Sequence, residues 1–454
     1  MEKRIAWIAV FFFIFSLMVS SNVFAVGSAG IENASFSPKQ LAKAGAGVAN
    51  PDEPAAISYN PAGIVDLPGL QVQSNMHFLS IMTWNDSVTA GDTHSAGKII
   101  PVPTGYMTLN PGRLLKDRVV FGIGSDSPFG LSDKYSSVHP SVHYTGWENY
   151  VNMYTIKPTV AFKICDKLSI GGGPMYYRMY NWGGIQAYPN KLLAPFTQAD
   201  GQVRLNLSGN HWGWQMGILA KPHPKHNIGF YFRSPVIINT SGMAKVENSA
   251  TGGNFETGAN AKFALPLNYT FAYAFKPTPK WALETDFGYT RWAIHERLFI
   301  NADPVNAADD AILAAIGKND KDYRDGFSLQ NSASYDVNDK LKLMAGTYFY
   351  WWVIPKDHWI PAIPDGNRLA FSLGASYKIL KYLTCDMSII QVIGFPRKIS
   401  NDISASVPLT GNVDGTYTTS ITEVSVGATY HWDGFIDRIT GKKAEAEVTK
   451  KPAR

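Results

Sequence analysis

Arg368-Leu369-Ala370-Phe371-Ser372-Leu373-Gly374-Ala375-Ser376-Tyr377-Lys378 alternates between two kinds of side chain. Leu369, Phe371, Leu373, Ala375 and Tyr377 share one face; Arg368, Ala370, Ser372, Gly374, Ser376 and Lys378 share the other. Side chains along a strand point to opposite faces with period two, so this stretch predicts a strand with an apolar face and a small or polar one. The scheme recurs at Glu423–Trp432, Thr270–Phe275 and Leu383–Ile389. A soluble sandwich also alternates, but with shorter strands and a charged outer face. Here the polar face is Gly, Ser, Thr and Ala with scattered charges, as a barrel lumen would be. The segments also reach the roughly 9–11 residues that cross a bilayer when tilted. Aromatic residues gather near segment ends, as at Tyr348-Phe349-Tyr350-Trp351-Trp352 and Trp281, in the manner of interfacial girdles.

Extending the count in both directions gives fourteen such segments. They lie near 70–82, 98–110, 118–128, 149–163, 167–182, 203–221, 225–240, 262–276, 280–300, 324–336, 340–352, 367–379, 382–398 and 417–432. Short turns occur at 166–167, 223–227, 278–280, 338–340 and 380–382. Long excursions lie between them at 129–148, 183–202, 241–261, 301–323, 353–366 and 395–416. Short turns at one end, long loops at the other and an even strand number are the layout of a closed bacterial outer-membrane barrel.

Composition agrees. Only 17% of the 454 residues are charged, against about 25% in an average soluble protein. Apolar residues still reach only 45%, too few for a bundle of membrane helices, while the aromatic content excludes disorder. The net charge of +5 is too mild to argue for nucleic acid. Lys3 and Arg4 precede an apolar run from Ile5 to Val19 and a Val23-Phe24-Ala25 cleavage site, so residues 1–25 read as a signal peptide. Export permits disulfides, yet Cys165 and Cys385 fall on different, non-neighbouring strands and read as small apolar side chains.

Residues 26–66 break the strand pattern. They are rich in Ala and Gly and contain Pro38, Pro51, Pro54 and Pro61, which predicts short helices and tight turns. A fourteen-stranded lumen leaks unless filled, so this segment reads as a plug. The plan is a signal peptide (1–25), a hatch (26–66), a transmembrane barrel (67–432) and a periplasmic tail (433–454). The fold class is all-β: a 14-stranded antiparallel outer-membrane β-barrel with a small helical amino-terminal hatch.

Asp52–Leu67, with Asn60-Pro61-Ala62-Gly63 at its centre, resembles the FadL family of outer-membrane transporters for hydrophobic compounds. In that family the Asn-Pro-Ala signature closes an amino-terminal hatch just before the first strand. The resemblance continues through Gly209-Asn210-His211-Trp212-Gly213-Trp214, Phe232-Arg233-Ser234, Trp281–Trp292 and Ile363-Pro364-Asp365 followed by Arg368. The chain departs from the family at its end, where Asp433–Arg454 follow the terminal aromatic Trp432 that assembly machinery reads.

The resemblance implies capture of a hydrophobic molecule among the long loops, a pocket against the hatch, and lateral exit through a kink in the third strand. The residues support parts of this directly. Leu192, Leu193 and Phe196 form an apolar cluster in a loop that should face water, and such clusters mark binding. Gly124, Ser125, Pro128 and Gly130 interrupt the third strand, where Pro cannot donate to a ladder and Gly loosens pairing. A carboxylate cargo needs a cation, best supplied by Arg. Arg324 aligns with a basic pocket residue of the family, and Arg178 lies within two positions of another. An uncharged hydrocarbon would need neither. No nucleophile context or metal spacing surrounds the histidines, so no enzyme, cofactor or metal is expected. The implied partners are a fatty acid or other hydrophobic small molecule, the lipid bilayer with its lipopolysaccharide, and the assembly machinery, with the chain a monomer. The rival readings are a general porin for small hydrophilic solutes and an aromatic-hydrocarbon channel of the same family.

Overall fold

The computed structural model describes residues 28–33, 36–87, 91–188, 200–249, 251, 253–295, 297–400, 413–433 and 435. The expected signal peptide (1–25), Leu192, Leu193, Phe196 and nearly all of the expected tail (433–454) lie outside the described residues. Fourteen strands run in chain order: β1 (Leu70–Asp86), β2 (Ile99–Leu109), β3 (Val119–Asp126, resumed as Leu131–Lys134), β4 (Glu148–Cys165), β5 (Leu168–Tyr188), β6 (Gly201–His223), β7 (His226–Arg233, resumed as Val236–Glu247), β8 (Phe255–Leu265, resumed as Asn268–Thr278), β9 (Trp281–Thr290, resumed as Arg297–Ala302), β10 (Gly326–Asp336), β11 (Leu341–Tyr350), β12 (Arg368–Leu380), β13 (Leu383–Gly394, resumed as Arg397–Ile399) and β14 (Gly415–Trp432). All pairings are antiparallel. β14 pairs with β1 from Leu70–Trp432 to Asp86–Thr416 without a register shift, which closes the barrel. Cys165 and Cys385 are free.

The outer surface is divided into two bands. Near the short turns, outward side chains are apolar: Trp281, Leu283 and Phe287 on β9, Phe271 and Tyr273 on β8, Trp212, Trp214 and Met216 on β6. Toward the long loops the polarity reverses. Outward positions on β6 to β8 become mostly polar, with Arg204, Asn206, Asn239, Ser241, Lys245, Glu256, Asn260 and Lys262 beside the exposed Ile237 and Met243, while Val203, Leu207, Ile238, Val246 and Phe263 turn inward and are buried. The change coincides with breaks at Ser234-Pro235, Pro266-Leu267 and Arg291–His295. An aromatic belt follows the same level, with ring contacts Tyr176–Trp212, Trp214–Phe232, Phe232–Tyr269, Tyr269–Tyr289 and Tyr289–Phe327. On β9 the apolar band runs from Trp281 to Tyr289. At ~3.3 Å per residue and ~40° of tilt that is ~23 Å, close to the ~25 Å apolar band of outer-membrane barrels. The belt marks the bilayer surface, and the strands above it stand in water. This corrects the expected loop at 241–261, most of which is strand with its polar face outward.

The lumen is filled by the amino-terminal segment. It contains α1 (Pro38–Ala42), capped by the Ser37 side chain, and two 3-10 turns, Pro54–Ser58 and Pro61–Asp66. Each has Pro in its first turn, where the missing N–H costs nothing. Ala55, Ala56, Ile57 and Ile64 are fully buried against the barrel's Tyr106, Val120 and Ala161. Inward-facing glycines on the wall allow this close approach: a methyl at Gly217 would overlap the Asn60 carboxamide, and one at Gly229 would overlap the Val48 carbonyl. Gly217→Val is therefore expected to destabilise the barrel by about 1–3 kcal/mol. The check is a lowered midpoint of heat-modified gel mobility, with Gly253→Val, which meets nothing within 4 Å, unchanged.

Candidate functional site

Above the aromatic belt the inward-turned apolar residues enclose a cavity of about 200 Å³. Val203, Phe263, Trp182, Leu131, Ile31 and Ile363 line it, together with Leu313 of the helix α3 (Ala307–Gly317), which follows the short helix α2 (Pro140–His143) in the chain. The long excursion at 301–323 thus carries a short helix that packs over the cavity.

Lys321 and His295 bring polarity to this lining. Lys321 is 6% exposed. Among the described residues no carboxylate or hydrogen-bond acceptor engages its ammonium. Burial pushes its pKa down to about 8. His295 sits at the end of the 3-10 turn Trp292–Ile294, with its ring against Tyr323, Trp292 and Phe263. Its Nε2 is buried without a hydrogen-bond partner. Burial, and secondly the Lys321 charge, push its pKa down to about 4, which keeps the imidazole neutral at pH 7. A buried unpaired ammonium is costly, and a carboxylate entering the cavity would relieve that cost.

The expected arginines stand elsewhere. Arg324 is exposed, with its guanidinium 4.9 Å from the Trp352 ring, and does not line the cavity. Arg178 shares the outward face of β5 with Ile170 and Tyr176 and lies opposite Asn210, just above the belt. Lys321 was missed because nothing in Asn319-Asp320-Lys321-Asp322 distinguishes a buried lysine from a solvated one; burial arises from α3 and the resumed strands.

Below the cavity the lumen is polar and charged. Arg233 pairs with Glu32 at 2.8 Å, His77 with Glu423 at 2.8 Å, and Lys157 with Asp126 at 2.6 Å. Asp286 accepts from the backbone N–H groups of Gly47 and Val48, and Glu284 from those of Ala49 and Asn50. Asn60 is fully buried; its carbonyl accepts from the Ala62 N–H and its amide donates to Val48 and to Ile218 of the wall. The Asn-Pro-Ala signature is thus a helix cap, a first-turn proline and a small residue lying against the wall. Toward the short turns, Asp52 pairs with Lys342 at 2.8 Å, and Asp66 pairs with Lys221.

The third strand breaks between Asp126 and Leu131. Gly124 and Ser125 remain in register with Tyr106 and Gly105 of β2, while Pro128 and Gly130 lie in the break. There the chain turns to the amino-terminal segment: Asn33 N–H donates to Pro128 O, and Gly130 N–H donates to Ile31 O, both at 2.8 Å. Phe129 is fully buried beneath the Arg233 guanidinium. A gap in wall pairing remains between β2 and β3 above Gly105–Ser125.

A model of the outer membrane protein transport protein family (OMPP1/FadL/TodX) matches residues 16–432. The chain belongs to this family. It is an outer-membrane transport protein and not an enzyme. It is 22% identical over 421 residues to outer membrane protein P1 of Haemophilus influenzae, covering 82% of this chain and 88% of that protein. It is likewise 22% identical over 414 residues to the long-chain fatty acid transport protein of Escherichia coli K12, covering 82% and 90%. Among solved structures it resembles a FadL homologue of Pseudomonas aeruginosa at a TM-score of 0.74 and 17% identity, covering 91% of this chain and all of that one. It also resembles the Pseudomonas putida toluene transporter TodX at 0.66 and 15%, covering 90% and 100%. At these identities the structural likeness speaks for the fold, and the family's closed fourteen-stranded barrel is the one described above.

Proposed function

We propose that the protein carries long-chain fatty acids or closely related apolar carboxylates across the outer membrane by passive diffusion. The observation that carries this reading is an apolar cavity with an unpartnered buried ammonium, Lys321, placed above a lumen that is polar and filled. The tail occupies the apolar walls and the carboxylate meets Lys321. The neutral His295 Nε2 offers either an acceptor or, in the other tautomer, a second donor. The long-chain fatty acid transport proteins among its relatives favour the same class; the toluene transporter among its structural neighbours has the alternative cargo, which would not use Lys321.

Residues 26–66 act as a hatch that stays in place. Its anchors reach β1, β3, β4, β6, β9 and β11 around the circumference. A hydrophobic tail passing straight down would cross several buried ion pairs, whereas the β2–β3 gap leads sideways into lipid. Ile31 both lines the cavity and accepts the Gly130 N–H, so cargo entering the cavity bears on the segment that occupies the break. That contact is the proposed ligand gate. The protein acts as a monomer, with Arg178 at the level of lipopolysaccharide headgroups.

Carboxylate binding should follow the charge on Lys321. It is full below pH about 8 and weakens as pH rises through that value, by about tenfold per unit until the pKa of the complex is reached. Titration of tryptophan fluorescence with a long-chain carboxylate at pH 7 and pH 9 checks this. The functional test is uptake of labelled fatty acid, toluene and a small sugar by cells carrying the protein. Fatty-acid uptake without sugar uptake is expected; sugar uptake alone would make it a porin.

A further inference from the structure

The lateral route proposed above depends on why β2 and β3 fail to zip together, and the strand register answers that from β2. Asn110, directly after β2, donates its N–H to Gly69 beside β1. The β1–β2 register then runs without a shift from Leu70–Leu109 to Ser80–Ile99. In an antiparallel ladder alternate residues direct both backbone groups to the same neighbour. Even-numbered β2 residues therefore serve β1, and odd-numbered ones face β3. On the other side, Lys163 donates to the Arg118 carbonyl, so even-numbered β3 residues serve β4 and odd-numbered ones face β2. Gly105 and Ser125 are the last pair in register between β2 and β3, and both are odd. The next two β2 positions directed at β3 are 103 and 101. Both are proline.

We infer that Pro101 and Pro103 set the lateral opening, by deleting two successive N–H donors from the β2 edge that would otherwise pair with Ser127–Gly130. The edge lies at the lipid-facing level, since Pro101 is in register with the outward, exposed Phe78. A bare donor at that depth has no water to satisfy it; a proline edge carries none there. The β3 segment, offered no donors, turns inward to Ile31 and Asn33. Prolines elsewhere interrupt a ladder that then resumes: beside Pro235 the β6–β7 pairing lapses between Gln215–Arg233 and Gly209–Thr240 and continues beyond. Between β4 and β5, Pro158 and Pro174 interrupt the ladder only from Ile156–Tyr176 to Val160–Gly172, where it resumes.

The test compares the wild-type protein, Pro101→Val/Pro103→Val and Pro128→Ala, in bilayers, with a long-chain carboxylate bearing a photoreactive tail. Wild type should label residues bordering the gap, such as Thr104 and Phe129. The double variant should show protected amides at 101 and 103 and lose gap labelling and cargo transfer by on the order of tenfold, with binding in the cavity unchanged. Pro128→Ala should transfer cargo within about twofold of wild type, because the β2 donors are still missing. Gap labelling equal to wild type in a folded double variant, or loss of transfer in Pro128→Ala, overturns the proline assignment and leaves the lateral route standing. Absence of gap labelling in the wild type removes the lateral route itself, and the assignment with it.

Discussion

Lys321→Met is expected to weaken binding of a long-chain carboxylate by about 2 kcal/mol, roughly thirtyfold. Binding of the matching long-chain alcohol should stay within about twofold, because methionine keeps the apolar stem and removes only the charge. Calorimetric titration of both ligands at pH 7 separates the two. The same change should stabilise the empty protein. The folded pKa of Lys321, about 8, lies below its ordinary value, so the charged ammonium costs stability in the fold. That cost is complete below pH 8 and is relieved as pH rises through 8 toward the ordinary lysine value. A folded, more heat-resistant variant with reduced carboxylate affinity is the expected combination. Equal loss for the alcohol would show that Lys321 supports the cavity's shape and not the headgroup.

The second large effect is expected at Glu284 and Asp286. Together they accept four consecutive backbone N–H groups of the hatch, from Gly47 to Asn50, and they are 5% and 1% exposed. Truncating both to alanine strands three buried donors, each at a cost of about 1–3 kcal/mol, and the half-buried one of Asn50. The barrel, held by its own ladders, should persist while the loop 47–50 leaves the wall. Planar bilayers should then show ion conductance that the wild type lacks. Glu284→Gln/Asp286→Asn, which keeps carbonyl acceptors in place, should leak much less. A double-alanine variant with the native heat-modified mobility and no conductance would mean that the remaining anchors, Asn60 and the Asp52 and Asp66 ion pairs, suffice to hold the hatch.

Much of the fold was legible because a lipid-facing wall imposes period two over long segments. Each of the fourteen strands expected from alternation and turns is found. The extensions above the belt were not legible as strands. From Asn239 to Lys245 and from Glu256 to Lys262 the alternation persists, but its polar members are charged and amide residues, which read as loop. They are outward because that part of the barrel stands in water, a fact that depends on where the bilayer ends. The site was less legible still. Alternation places Arg178 on one face of β5 but cannot say whether that face is lumen or lipid. Lys321 is buried only because α3 and distant strands close over it. The role proposed for Pro101 and Pro103 needed the register of four neighbouring strands, β1 to β4. By contrast the short helices and turns of residues 26–66 were readable from their Ala, Gly and Pro, because first-turn proline is local chemistry, while Asn60-Pro61-Ala62 stood out through the family resemblance.

A filled barrel of this kind should pass hydrophobic cargo and exclude polar solutes. Purified protein reconstituted into liposomes tests it most directly, with transfer of a long-chain fatty acid from the external solution into the bilayer followed alongside liposome swelling in a small sugar. The expected result is accelerated fatty-acid transfer, sensitive to Lys321→Met, with no swelling. Swelling in sugar with no acceleration of fatty-acid transfer would contradict it.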